Sequence, residues 1–190
     1  LIKDYPDEAL LYNISGACYA SLGQLDTAVE SYEKAVTIKP DYAEAHNNLG
    51  SILQELNQSD IAVKCFEKAL ATKPDFAEAH HNLGIALKDI GQLDAVVKCF
   101  EQALAIKPDF ADAHYSLGQI NQALGQVDDA IKQYEKAISI KKNHAEAHHN
   151  LSHLKKFTEN DSQITLIQSL LSTNDLNHSD RTHLCLTLAK

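Results

Sequence analysis

The chain has 190 residues and a formal net charge of −9, from 17 Lys and Arg against 26 Asp and Glu, with 44% hydrophobic and 23% charged residues. That composition belongs to a folded globular chain. The acid excess argues against nucleic acid and anionic membrane surfaces as partners, because both are recognised through Lys and Arg. No apolar run reaches the ~18–20 residues of a membrane-spanning helix.

In chain order, LIKDYP at the start reads as the end of a helix that belongs to something earlier, so residues 1–8 are expected to be the tail of a preceding repeat. Beginning at Leu1 and lacking methionine, the sequence reads as a piece of a longer protein. From Ala9 onward a pattern sets in. Pro6, Pro40, Pro74 and Pro108 are each 34 residues apart, and so are Gly16, Gly50, Gly84 and Gly118. Gly23, Gly91 and Gly125 form a third column, with Asn57 in its missing slot. A fixed period in the range of 20–50 residues marks a stacked repeat architecture.

Each unit starts at an alanine: Ala9, Ala43, Ala77, Ala111, Ala145. The first stretch of a unit, as in AEAHNNLGSILQEL, spaces Ala45, Leu49, Ile52, Leu53 and Leu56 as one face of a helix. A turn follows, with Gly suited to a left-handed helix end and Asp26, Asp60, Asp94 or Asp128 at the start of a second helix. Lys-Pro ends that helix, because proline lacks an N–H and disfavours helix in the residue before it. A unit is therefore two antiparallel helices of ~13 residues, each ~20 Å long. One such pair cannot bury its own apolar face and must stack on its neighbours. Glycine in mid-helix costs ~1 kcal/mol relative to alanine. Its recurrence at 16, 50, 84 and 118 implies close approach by another helix. Tyr32, Phe66, Phe100 and Tyr134 are the large partners, and Tyr42, Phe76 and Phe110 wedge between successive units. Past Phe157 the register decays. Thr158–Asp161 is a polar break, Ser162–Leu171 a helix, Ser172–Ser179 a loop, and Asp180–Lys190 a truncated helix.

These columns resemble the tetratricopeptide repeat: Leu-Gly at 49–50, 83–84 and 117–118; Ala at 28, 62 and 130; Tyr or Phe at 32, 66, 100 and 134; Ala at 35, 69, 103 and 137; Pro at 40, 74 and 108. The fold expected is all-α, a right-handed superhelical solenoid of antiparallel helix pairs. Four repeats occupy 9–142 (9–42, 43–76, 77–110 and 111–144), followed by a degenerate fifth at 145–178 and a truncated capping helix at 179–190. The chain departs from the family at the fourth position, where it carries His46, His80, His114 and His148. The segments 145–161 and 180–190 also resemble the junction in bacterial proteins that join such repeats to a sulfotransferase domain, and the asparagines resemble those along the superhelix of O-GlcNAc transferase.

The resemblance implies a protein-interaction module that binds an extended peptide on its concave face. Helical geometry puts the first helix of each unit on that face, with positions two, five, six, nine and twelve to thirteen directed into it. The residues expected to bind peptide are Asn13, Asn47, Asn48, His81, Asn82, Tyr115, Ser116, Gln119, His149 and Asn150, with the acids Glu44, Glu78 and Asp112. A carboxamide can donate to a peptide carbonyl and accept from its N–H, so a ladder of Asn holds an extended chain whatever its sequence. The acids meet an acidic tail with like charge, so a neutral or basic segment is the expected partner. Two alternatives stand beside this: a recruiting arm of a larger enzyme whose catalytic domain follows Lys190, or a scaffold that self-associates through the apolar first helix (Leu10, Leu11, Ile14).

No catalytic residue is expected in this fragment. Cys65 and Cys99 share one repeat column, Cys18, Cys65, Cys99 and Cys185 show no paired spacing, and no Ser, His or Asp stands apart as a triad. No cofactor is expected. His144, His148, His149 and His153 include two i,i+4 pairs, but no third ligand completes a set, so no metal is expected. A cytoplasmic location is the expectation that goes with this reading.

Overall fold

The structure, a computed structural model, describes residues 7–156, 161–173 and 176–189. Residues 1–6 of the expected tail at 1–8, Phe157 with most of the polar break, part of the loop at 172–179, and Lys190 lie outside the described residues. Among the described residues the regular structure is entirely α-helical. The chain divides into two compact units, one ending at Lys107 and the other beginning at Pro108.

The first unit contains α1 (Ala9–Ser21), α2 (Leu25–Ile38), α3 (Ala43–Glu55), α4 (Ser59–Thr72), α5 (Ala77–Asp89) and α6 (Leu93–Ile106). Odd helices have 13 residues and even helices 14. Each odd helix packs on the even helix that follows, and each even helix on the next odd one. The packing inside a pair explains the mid-helix glycines. A Cβ built on Gly50 falls 2.7 Å from the Phe66 ring, and one on Gly84 falls 2.6 Å from the Phe100 ring. Phe66 and Phe100 are 0% and 1% exposed. Burying such a ring stabilises by ~2–3 kcal/mol, which exceeds the ~1 kcal/mol that glycine costs the helix.

Helix ends follow the local chemistry with one difference from the sequence reading. The turn between α5 and α6 places Gly91 at φ 77°, and Asn57 takes φ 60° at the equivalent place, a region that Gly enters freely and Asn tolerates. Lys39 and Lys73 leave the helical conformation just before proline. The even helices begin one residue before the expected aspartates. Gln24, Gln58 and Gln92 precede them, and none of the three caps through its side chain. Asp26, Asp60 and Asp94 sit in the first turn, where their charge favours the positive end of the helix.

The second unit contains α7 (Ala111–Ala123), α8 (Val127–Ile140), α9 (Ala145–Leu154), α10 (Ser162–Leu171) and α11 (His178–Leu188). The α7–α8 pair repeats the geometry above, with Tyr134 fully buried against Gly118. The tail departs from it. α9 is shorter, with 10 residues, and packs more extensively against α11 than α10 does. Ala145, Ile167 and Leu184 bring α9, α10 and α11 into one small apolar cluster. Asp161 and Asn177 cap α10 and α11 through their side chains, accepting from Gln163 N and Asp180 N.

Candidate functional site

In the first unit, α1 touches α3 and α3 touches α5. Asn48 donates from Nδ2 to Asn13 Oδ1 at 3.1 Å, and Asn82 donates to Asn47 Oδ1 at 3.1 Å. The Asn of position six therefore bonds to position five of the repeat before it. Asn47 and His81 are each 8% exposed, so they form the floor of this face, while Asn13, Asn48 and Asn82 are half-buried. Gln54 Nε2 and Ser59 Oγ both donate to Asp89 Oδ2, at 2.7 and 3.3 Å. The amides expected to hold a peptide bond to one another across repeats, a use that sequence periodicity does not reveal.

The acids of position two are also engaged. Lys73 Nζ lies 3.0 Å from Glu44 Oε1, and Lys107 Nζ lies 2.8 Å from Glu78 Oε1. Each lysine comes from the Lys-Pro step that ends the same repeat. These hydrogen bonds hold the Glu44 and Glu78 carboxyls below the usual carboxylate range. Lys73 also sits over the Phe76 ring, 4.6 Å from its centroid. The pairing leaves much less free negative charge on this face than the sequence alone implied. Its signal was present as two charge columns of opposite sign that recur 29 residues apart.

In the second unit, Asn150 Nδ2 lies 3.3 Å from Tyr115 Oη, which also accepts from Gln119 Nε2 at 2.9 Å. Tyr134 donates to Gln122 Oε1 at 2.7 Å. Burial pushes the Tyr134 phenol up to about 12 and raises Tyr115 as well, so both are neutral hydrogen-bonding groups. Ser116 is half-buried on α7. His149 and His153 bring their Nε2 atoms to 3.2 Å, with the His183 ring centroid 5.5 Å from that of His149. Asp112 and Glu146 flank the buried His144, at 3.6 and 3.3 Å from its two ring nitrogens.

The histidines of position four have a role that the sequence reading did not assign. His46, His80, His114 and His148 each place Nε2 at 2.8–3.0 Å from a carbonyl six residues earlier, at Pro40, Pro74, Pro108 and Lys142. A carbonyl only accepts, so Nε2 carries the proton, and the imidazole latches the inter-repeat turn to the helix after it. The spacing was legible, since both the His and Pro columns recur every 34 residues. Cys65 and Cys99 are buried, and burial raises both thiols, which disfavours the nucleophilic thiolate. Among the described residues, no three His, Cys, Asp or Glu side chains gather as a metal site, and no helix is long and apolar enough to cross a membrane.

Comparison with known families gives five stretches of similarity. A model described as TPR repeat matches residues 16–57 and 86–125. Two described as Tetratricopeptide repeat match 43–76 with 111–144, and 65–97. Together they run without a gap from 16 to 144. Among solved structures, PilW, a widely conserved type IV pilus biogenesis factor, is 28% identical with a TM-score of 0.77, covering 96% of this chain and 86% of its own. TTC0263, a thermophilic TPR protein of Thermus thermophilus, is 18% identical with a TM-score of 0.76, covering 96% and 100%. The first TPR of Spaghetti (RPAP3), bound to the HSP90 peptide SRMEEVD, is 26% identical with a TM-score of 0.60, covering 62% and 93%. No curated protein matches.

Proposed function

The chain belongs to the tetratricopeptide-repeat family, and from that premise we propose that it binds an extended peptide segment along the odd-numbered helices of its repeats. The observation that carries this reading is the set of half-buried carboxamides at Asn48, Asn82 and Asn150. Each donates from Nδ2 to a neighbouring repeat; Asn82 Nδ2 also lies 3.4 Å from Ser51 Oγ and Asn150 Nδ2 3.5 Å from Tyr134 Oη. None of these bonds uses the carboxamide carbonyl, which has two lone pairs, and Asn48 keeps a second N–H. The inter-repeat bond fixes the side-chain rotamer, so these remaining groups meet a peptide backbone with little further loss of conformational freedom. The structurally similar RPAP3 domain, at 26% identity, holds a peptide. That peptide is acidic. Here Glu44 and Glu78 are paired with Lys73 and Lys107, and the acids Asp112 and Glu146 favour a neutral or basic segment instead. In this reading the repeats are 9–42, 43–76, 77–110 and 111–144, and the tail after Ala145 closes the stack.

The test is selection of peptides on the wild-type chain, followed by affinity measurement with Asn48, Asn82 and Asn150 changed together to Ala. The reading expects a loss of about tenfold or more, as two or three backbone hydrogen bonds at ~0.5–1.5 kcal/mol each disappear. Undiminished binding in a folded triple variant sinks the ladder. A second reading is self-association through α1, favoured by Leu10 and Ile14, each 50% exposed. Sedimentation over a wide concentration range tests it, and a monomer throughout excludes it.

A further inference from the structure

The carboxylates of position two are not equivalent between the two units. In the first unit each is neutralised within its own repeat, Glu44 by Lys73 and Glu78 by Lys107. Lys73 shows how this scaffold holds a cation: a carboxylate at 3.0 Å and an aromatic face at 4.6 Å. In the second unit the same frame lacks its ammonium. The acid of the fourth repeat is shortened to Asp112, and Lys141, in the column of Lys73 and Lys107, makes no ion pair with it among the described residues. The fifth repeat carries Asp175 in that lysine column.

A second substitution sits at the same place. The column of Tyr42, Phe76 and Phe110 continues as His144. Its side chain is 5% exposed and lies between the two acids, with Nε2 3.6 Å from Asp112 Oδ1 and Nδ1 3.3 Å from Glu146 Oε2. Ala147 N–H donates to Nδ1, so the ring proton is on Nε2. That nitrogen is fully buried and has no hydrogen-bond partner, since 3.6 Å is too long. Burial and the nearby Lys141 both hold the ring towards its neutral form against the pull of the two acids, and a neutral ring cancels no charge. The Tyr115 ring is 4.7 Å from that of His144. Asp112 and Glu146 are 56% and 44% exposed. The result is two open carboxylates beside an aromatic face, arranged around a buried imidazole edge directed at one of them.

We infer that the Asp112–Glu146 pair astride His144 receives a Lys or Arg side chain of the bound segment, in the role that Lys73 fills within the second repeat. This rests on the peptide-binding reading above and adds to it the side chain that is read and the repeats that read it. The acids of the first unit give the fold its internal clamps, and those of the second discriminate between partners. Two half-exposed ion pairs and a cation–π contact together amount to about tenfold in affinity at low salt.

The experiment pans a random dodecapeptide phage library on the wild-type chain, on D112N/E146Q and on E44Q/E78Q, each checked for helicity by circular dichroism. The two double variants lose the same net charge, so general attraction to an acidic protein affects both alike. The inference expects wild type and E44Q/E78Q to enrich Lys and Arg over Asp and Glu, and D112N/E146Q to lose that bias. A peptide selected on wild type then binds D112N/E146Q about tenfold more weakly, with the gap closing in concentrated salt as the Debye length falls to about 3 Å. Enriched peptides without a basic bias, or with the same bias on D112N/E146Q, overturn this inference and leave peptide binding intact. A loss of bias on E44Q/E78Q equal to that on D112N/E146Q also overturns it. No enriched peptide on any of the three removes both readings.

Discussion

Replacing Gly84 by alanine sets two calculable effects against each other. Alanine favours a helix interior over glycine by ~1 kcal/mol. The added Cβ, however, lies 2.6, 2.9 and 3.1 Å from three atoms of the Phe100 ring, where carbon atoms normally rest ~3.5–4.0 Å apart. The ring must retreat by roughly 0.5–1 Å, and at 1% exposure it has no solvent side to retreat into. Overpacking of this kind costs ~1–3 kcal/mol, so the net expectation is a loss of up to about 2 kcal/mol and, at ~2–4 °C per kcal/mol, a Tm lower by up to roughly 8 °C. Thermal and urea unfolding followed by helix circular dichroism measure it. G84A/F100L should be less destabilised than the sum of its single variants, because the smaller side chain removes the overlap. Gly91→Ala is the contrast: its Cβ meets nothing within 4 Å, but its φ is +77°, so it should cost ~1–2 kcal/mol that F100L does not recover. A G84A protein more stable than wild type by about 1 kcal/mol would refute the account, since it would mean that the ring yields freely and helix propensity alone decides.

The remaining expectations concern the polar columns. His80→Leu removes the bond to the Pro74 carbonyl and should lower stability by ~0.5–1.5 kcal/mol; an unchanged urea midpoint would dismiss the latch. Lys73→Ala breaks a pair whose partners are 43% and 49% exposed, so its effect should stay below ~1 kcal/mol and fade in high salt. Burial lowers the pKa of His144 and of His148, which is held by the Lys142 carbonyl and the Gln163 side chain. The folded state then binds fewer protons than the unfolded chain. Stability from these groups is complete above the unfolded value of ~6.5 and declines as pH falls below it. A Tm series from about pH 7.5 to 5.5 should show that decline, and His144→Phe, which restores the aromatic column, should flatten it; a series flat in wild type would contradict the buried neutral state.

Why the repeats were readable while the bonds between them were not follows from the range of the forces involved. Helix location depends on what lies within about four residues: apolar spacing, a residue free to take positive φ such as Gly91 or Asn57, and proline after lysine. These are local, and the period repeated them often enough to leave no ambiguity. The polar residue types along one face of the odd helices were equally legible, because position on a helix fixes direction. What those residues do there depends on distances between helices. Asn48 reaches Asn13 across 35 residues of chain and Lys73 reaches Glu44 across 29. Such bonds form only when packing sets two backbones at the right separation. Glu78 meets Lys107 at 2.8 Å, whereas Asp112 in the same column lies 3.6 Å from His144. Local chemistry was enough to prescribe a tandem array of helix pairs and to name its polar groups. Which of those groups are bonded to one another was settled by packing in three dimensions, because it turns on gaps of a few ångströms between elements far apart along the chain.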